Sequence, residues 1–160
     1  MVHEAAVRVS DAERLERVYR EHSSRLFRAL VAYSGNPDVA RDAVAEAFAQ
    51  ALRRGTAVRE LERWVWKVAF RVAAGELKEH RFRGVPAPEG AYEMPEDAVV
   101  MLSFLRRLPP KQRAAVVLHY YADLPNERIA EVLGITTATV RVHLSQGRKR
   151  LRGLLEGSDD

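Results

Sequence analysis

The chain reads as an all-α protein, and three observations say so. Apolar residues recur every three or four positions through most of its 160 residues, the period of a helix with one buried face. Breaks between these runs carry helix punctuation: Gly35-Asn36-Pro37, Arg53-Arg54-Gly55, Leu108-Pro109-Pro110 and Gly134. Nowhere does an apolar-polar alternation of strand type persist, and no solenoid repeat is present.

Taken in order, Ser10 and Glu13 form an S-x-x-E capping box ahead of a first helix. Leu15, Val18, Tyr19, Leu26, Phe27 and Leu30 are expected to face inward on it. Asn36 is placed to cap a second helix, with Pro37 in its first turn. That helix carries Val39, Ala43, Phe48 and Leu52 at core spacing and a polar row, Asp42, Glu46 and Gln50, on one face. Arg53 and Arg54 close it, as the macrodipole favours. A third helix spans about Glu60 to Arg81. Its apolar stripe is Trp64, Val65, Val68, Val72 and Leu77; its basic stripe is Arg63, Lys67, Arg71 and Lys78. Trp64, Trp66 and Phe70 are candidates to stack on unpaired bases, with at least one Trp expected in the core.

Gly84 to Pro95, GVPAPEGAYEMP, holds three of the seven Pro and reads as an extended linker. Two domains follow, residues 8–83 and 96–156. Each is small enough that docking on the other, or on a partner, is expected. The second domain opens with a helix over Asp97 to Leu108, with Ala98, Met101, Leu102 and Leu105 inward. The next, PKQRAAVVLHYYADL, buries Ala114, Val117, Leu118 and Tyr121. The final EGSDD is acidic and expected to fray.

The stretch from Pro125 to Leu151, PNERIAEVLGITTATVRVHLSQGRKRL, is the most informative. Ile129, Ala130 and Leu133 mark the buried face of one short helix. Gly134 suits a left-handed cap, and Thr136 or Thr137 can start the next helix. Val140, Leu144, Gly147 and Leu151 then face inward together. Thr137, Thr139, Arg141, His143, Gln146, Arg148 and Lys149 are left for a partner. This is the pattern of a helix-turn-helix whose second helix enters a DNA major groove. A plain helical hairpin with a solvated face is the alternative.

Charge agrees. The net charge is +4, but residues 53–83 carry nine basic and four acidic side chains, and residues 95–155 carry ten and five. Two separate basic blocks suggest two contacts with a polyanion. Cysteine is absent, which excludes disulfides and thiolate metal sites and suits the cytoplasm. No apolar signal-peptide region or run approaching ~18 apolar residues is present, so neither secretion nor membrane spanning is expected. The five His form no HExxH pair, and no Gly-rich phosphate loop occurs. Neither an enzyme nor a cofactor is expected.

These residues carry a family likeness. LRRLPPKQRAAVVLHYYADLPNERIAEVLGITTATVRVHLSQGRKRLR resembles region 4 of the extracytoplasmic-function (group IV) RNA polymerase sigma factors of the sigma-70 family. NPDVARDAVAEAFAQALRR resembles their region 2.2, and ERWVWKVAFRVAAGELKEHR regions 2.3 and 2.4. The resemblance implies binding to core RNA polymerase and to promoter DNA, with an anti-sigma factor as a further partner. By it, Asp42, Glu46, Phe48 and Gln50 would meet the polymerase clamp. Arg59, Arg63, Trp64, Lys67 and Arg71 would face the minus-ten element, where a flipped base needs stacking and hydrogen bonds. The recognition helix would read the minus-thirty-five element, Arg141 reaching a guanine edge, Arg148 and Lys149 holding phosphates. The chain departs from the family pattern at Ala45, Arg71, Gly75 and Val142. GITTATVRVHLSQGRKRL also resembles LuxR-type activators, which makes a stand-alone DNA-binding regulator the competing reading. A helical protein-interaction module is the third, and the segregated basic stripes argue against it.

Overall fold

A computed structural model describes residues 2–85 and 95–157, with side-chain surroundings from Ser10 onward. The described residues form seven α-helices and no strand. They are α1 (Val2–Ser34), α2 (Pro37–Arg54), α3 (Leu61–Arg83), α4 (Glu96–Leu105), α5 (Pro110–Val116), α6 (Asn126–Leu133) and α7 (Thr137–Gly157). The linker expectation falls mainly on residues 86–94, outside the described residues, as do the last three residues of the acidic tail.

Local chemistry sets the boundaries. Asn36 Oδ1 accepts the N–H groups of Asp38 (2.9 Å) and Val39 (3.3 Å), and Pro37 opens α2 as expected. The Ser10 box is not a start, because α1 begins eight residues earlier. The preceding HEAAVRV favours continued helix through its Ala, Glu and Arg. α2 presents Ala40, Ala43, Ala47 and Ala51 to its neighbours, so α1 and α3 can approach closely. Leu52 lies off this alanine face and is exposed, contrary to expectation.

Beyond α5 the helix widens into π turns over Val117–Tyr121, with Ala122 N–H bonding to Val117 C=O at 3.1 Å. The wider register turns Tyr121 out of the inward phase, so it is exposed together with Tyr120. Met101 is also exposed, because α4 is covered mainly at its Leu105 end. It lines an apolar groove of about 550 Å³ with Val117, Tyr120, Leu151 and Leu155.

Gly134 ends α6 at φ +66°. A Cβ there would touch nothing within 4 Å, so the penalty of any substitution lies in the backbone alone. Gly134→Ala should lower the unfolding free energy by about 1–2 kcal/mol; a urea titration at fixed m-value checks this. Gly147 serves a different need. A Cβ there would sit 2.8 Å from Val116 Cγ2, so glycine is what lets α7 lie close on α5.

Buried residues from α1–α3 and α4–α7 join in one hydrophobic cluster. α6 packs on α3, and α1 on the π segment. Arg25 spans this seam: its guanidinium lies 5.5 Å from the Trp66 ring centre and donates to the Ala122 carbonyl. Arg106 donates to Gly35 C=O at 2.8 Å, and Arg113 lies over the Tyr33 ring at 5.5 Å. Burial and neighbouring cations hold the Arg113 pKa below its usual value, while burial pushes the Tyr33 hydroxyl up.

Candidate nucleic-acid interface

The helix-turn-helix assembles as its sequence implies. Ile129 and Ala130 are buried on α6, and Val140, Leu144 and Gly147 on α7. Thr136 caps α7, its Oγ1 accepting the Thr139 N–H at 3.1 Å. The Thr139 hydroxyl lies 2.8 Å from that of Thr136. Thr139 is thus part of the cap, and its hydroxyl is already engaged rather than free for a base.

With the buried stripe fixed, the 100° helical step puts Ala138, Val142, Ser145 and Lys149 at the outer pole of α7. Arg141 is exposed on one shoulder of that face and Gln146 on the other. Thr137 is half-buried at the helix start. His143 is half-buried too, and its enclosed Nδ1 makes no hydrogen bond. Gln146 accepts from Gln112 Nε2 at 3.2 Å, and Arg148 donates to the Tyr120 hydroxyl at 2.9 Å. Arg148 therefore leans toward the apolar groove. Ser145 and Val142 are neither basic nor amide side chains, but the spacing about Val140 and Leu144 turns both outward. An exposed valine can meet a thymine methyl.

The second basic block forms a cleft of about 660 Å³ where the turn after α2 meets α3. Arg59, Arg63, Trp64 and Lys67 line it. Arg71 is exposed but lies further along α3, outside the lining. Trp64 is half-buried, with the Arg54 guanidinium 5.6 Å from its ring centre. Arg54, in the sequence a helix-end charge and a member of the basic block, is also a cleft residue. Trp66 and Phe70 are buried and stack on each other with centroids 6.3 Å apart, so neither is available to a base.

On α2, Asp42, Glu46 and Gln50 share a face, and Gln50 Nε2 donates to Glu46 Oε1 at 2.8 Å. That bond, aided by Arg53 at 3.2 Å, holds the Glu46 carboxyl below its usual pKa and keeps it anionic. Phe48 is on another side of the helix, 8% exposed, and cannot itself be a contact residue. It supports Tyr19, which meets it edge-on at 5.0 Å. Tyr19 is 52% exposed, the reverse of its expected position. Burial pushes the Glu76 carboxyl up, and the Asp42 charge adds to this. Glu76 of α3 thus extends the acidic row of α2, a juxtaposition that only the packing of two helices reveals.

Proteins of known type are similar to this chain in sequence and fold. The family described as Sigma-70, region 4 matches residues 99–151. Over 157 residues the chain is 30% identical to the ECF RNA polymerase sigma factor SigE of Mycolicibacterium smegmatis, covering 88% of this chain and 61% of that one. It thus spans about three-fifths of the length of SigE. It is 26% identical to the ECF RNA polymerase sigma factor SigL of Mycobacterium tuberculosis, covering 92% of each. The fold matches that of the sigma factor RpoE of Bartonella quintana, solved in complex with the anti-sigma factor NepR. There the TM-score is 0.71 and the identity 19%, over 88% of this chain and 96% of that one. Among the described residues, no helix is long and apolar enough to cross a membrane. The helix-turn-helix and the basic cleft thus lie in a chain that matches Sigma-70, region 4 over residues 99–151 and is similar over most of its length to extracytoplasmic-function sigma factors.

Proposed function

We propose that the chain binds core RNA polymerase in the cytoplasm and directs it to promoters by contacts with the minus-ten and minus-thirty-five elements. It acts by binding, with no catalytic step of its own. The observation that carries this reading is the pairing, in one chain, of a helix-turn-helix with a basic cleft holding an accessible tryptophan. A stand-alone activator needs only the first of these.

In this reading residues 8–83 hold the polymerase and minus-ten contacts, residues 84–95 are the linker, and residues 96–156 hold the minus-thirty-five contacts. Arg141 is the principal base reader, with Thr137, His143 and Gln146 at the edges of the footprint. Lys149 and Arg148 serve phosphates. Arg59, Arg63, Trp64 and Lys67 take the minus-ten strand in the cleft, and Arg71 extends that surface. Asp42, Glu46 and Gln50, with Glu76 beside them, form the acidic surface for the polymerase clamp. An anti-sigma factor is the expected negative regulator, since RpoE was solved with one.

The test is co-purification with core RNA polymerase, followed by promoter-dependent run-off transcription. Tight duplex binding by the free chain, with no association with core enzyme, would refute the proposal in favour of a stand-alone regulator. Within the complex, Arg141→Ala should weaken promoter binding by ~1–3 kcal/mol and relax preference at one base pair. Lys149→Ala should weaken all sequences alike and reduce the salt slope by about one. Competition binding at several salt concentrations separates the two.

A further inference from the structure

The turn between α2 and α3 forms one wall of the basic cleft, through Ala57, Val58, Arg59 and Glu60. Gly55 opens this turn at φ +56°, and its N–H bonds back to Ala51 C=O. Val58 N–H bonds to Gly55 C=O at 3.3 Å. Both bonds stay between residues 51 and 58, so neither ties the turn to another helix. α3 then starts at Leu61 with no side-chain cap from Glu60. Val58 and Leu61 are buried, but a hollow of about 360 Å³, with Leu15, Leu52, Gly55 and Leu61 on its walls, leaves one side of the turn only partly packed. One side chain reaches from α1 to the turn. Arg14, half-buried and 44 positions earlier in the sequence, donates from its guanidinium to Val58 C=O. It lines the hollow and not the cleft, and the two share no lining residue. Its Nε is enclosed, with no hydrogen-bond partner among the described residues. Asp11, one turn earlier on α1, places a carboxylate oxygen 3.4 Å from where a Cβ on Gly55 would stand.

We infer that Arg14 is a positioning residue for the minus-ten cleft: from α1 it fixes the Val58 carbonyl, and so sets where the wall carrying Arg59 stands, without touching DNA itself. The inference rests on the proposed function for what fills the cleft. The Val58 carbonyl and the Arg59 nitrogen belong to one planar peptide group. Holding the carbonyl therefore holds the plane from which the Arg59 side chain departs. A guanidinium suits this task. As a charged donor it bonds a carbonyl more strongly than a neutral donor does, and it keeps its protons at any ordinary pH. A flipped base is met by stacking and hydrogen bonds, whose geometry tolerates little displacement. The hollow beside the turn leaves room for such displacement once the bond is gone. Arg14 thus acts on selectivity at the minus-ten element, while the cations of the cleft itself supply attraction to the backbone.

Two measurements on the full chain test this. Trp66 is buried and Trp64 half-buried in the cleft, so acrylamide quenching of the fluorescence reads Trp64. In the free chain Arg14→Met, which keeps an apolar stem and removes the donors, should raise that quenching. Arg14→Lys, which keeps a charged donor, should restore most of the wild-type value. Holoenzyme reconstituted from core RNA polymerase and each variant is then given a barcoded template library randomised at both promoter elements. In Arg14→Met the base preference at minus-ten should fall about tenfold, within the cost of a ~1 Å misplacement. The preference at minus-thirty-five should stay as in wild type, and Arg14→Lys should recover the minus-ten preference. Circular dichroism and a urea titration set a temperature at which every variant is fully folded. An equal loss at both elements overturns the inference, since general destabilisation lowers both alike; so does no loss at either. If the wild-type chain supports transcription from no template, the proposed function fails. Quenching in the free chain still decides the role of Arg14: a rise reversed by Arg14→Lys sustains it, and an unchanged value overturns it.

Discussion

Trp66→Ala is expected to lower the unfolding free energy by about 3–5 kcal/mol. Trp66 is 2% exposed, stacked on Phe70, and covered by the Arg25 guanidinium. Removing the indole opens a void and also takes the cation-π partner from Arg25, whose remaining contact is to the Ala122 carbonyl. The loss should therefore show in two places. Urea unfolding monitored by circular dichroism reports the drop in stability. Hydrogen exchange should show faster opening around Ala122 than a cavity confined to α1–α3 would cause. Trp66→Phe, which keeps a ring over which Arg25 can sit, should recover part of both effects.

Leu144→Ala is expected to cost about 2–5 kcal/mol. Leu144 is buried on α7 and faces α5 and α6, while its neighbours Arg141 and Ser145 are exposed on the outer surface. It touches no DNA in the proposed complex. Its truncation should nevertheless weaken minus-thirty-five binding, because the inner stripe fixes the rotation of the recognition helix and hence the aim of Arg141. Calorimetric unfolding measures the first effect, and binding of a duplex carrying the upstream element measures the second. Unlike Lys149→Ala, this change should leave the salt slope as it was, since no phosphate contact is removed.

The parts of the molecule legible in the sequence are those set by local chemistry. Asn36 and Pro37 start α2, Gly134 stops α6, and Thr136 caps α7, each through bonds reaching only a few residues. The helix-turn-helix was readable for this reason, since its inner stripe and its turn lie in one continuous segment. What escaped is what two segments make together. Whether Trp64 or Trp66 faces solvent depends on α1 and on Arg25, not on α3 alone. Glu76 joins Asp42 only because α2 and α3 cross. Phe48 has core spacing in the sequence and is buried, and the exposed ring that it supports, Tyr19, comes from α1. Tyr121 misled for a different cause: the π turns break the period on which inward faces are counted. Arg54 entered the cleft because the chain turns sharply at Gly55, a change of direction that composition does not encode.

The order of the helices along the chain has a consequence for synthesis. α1, α2 and α3 are complete at Arg83, whereas α6 begins only at Asn126. At 5–20 residues per second the ribosome needs roughly 2–9 s to travel between them. During that interval the nascent chain already carries Arg54, Arg59, Arg63 and Lys67, without the Glu131 carboxylate that later lies 3.5 Å from Arg63. The first half thus emerges with its cationic cleft uncovered, beside the most abundant polyanion in its surroundings, ribosomal RNA. Once α6 has been made, its Glu131 carboxylate is placed to meet one of these cations, Arg63.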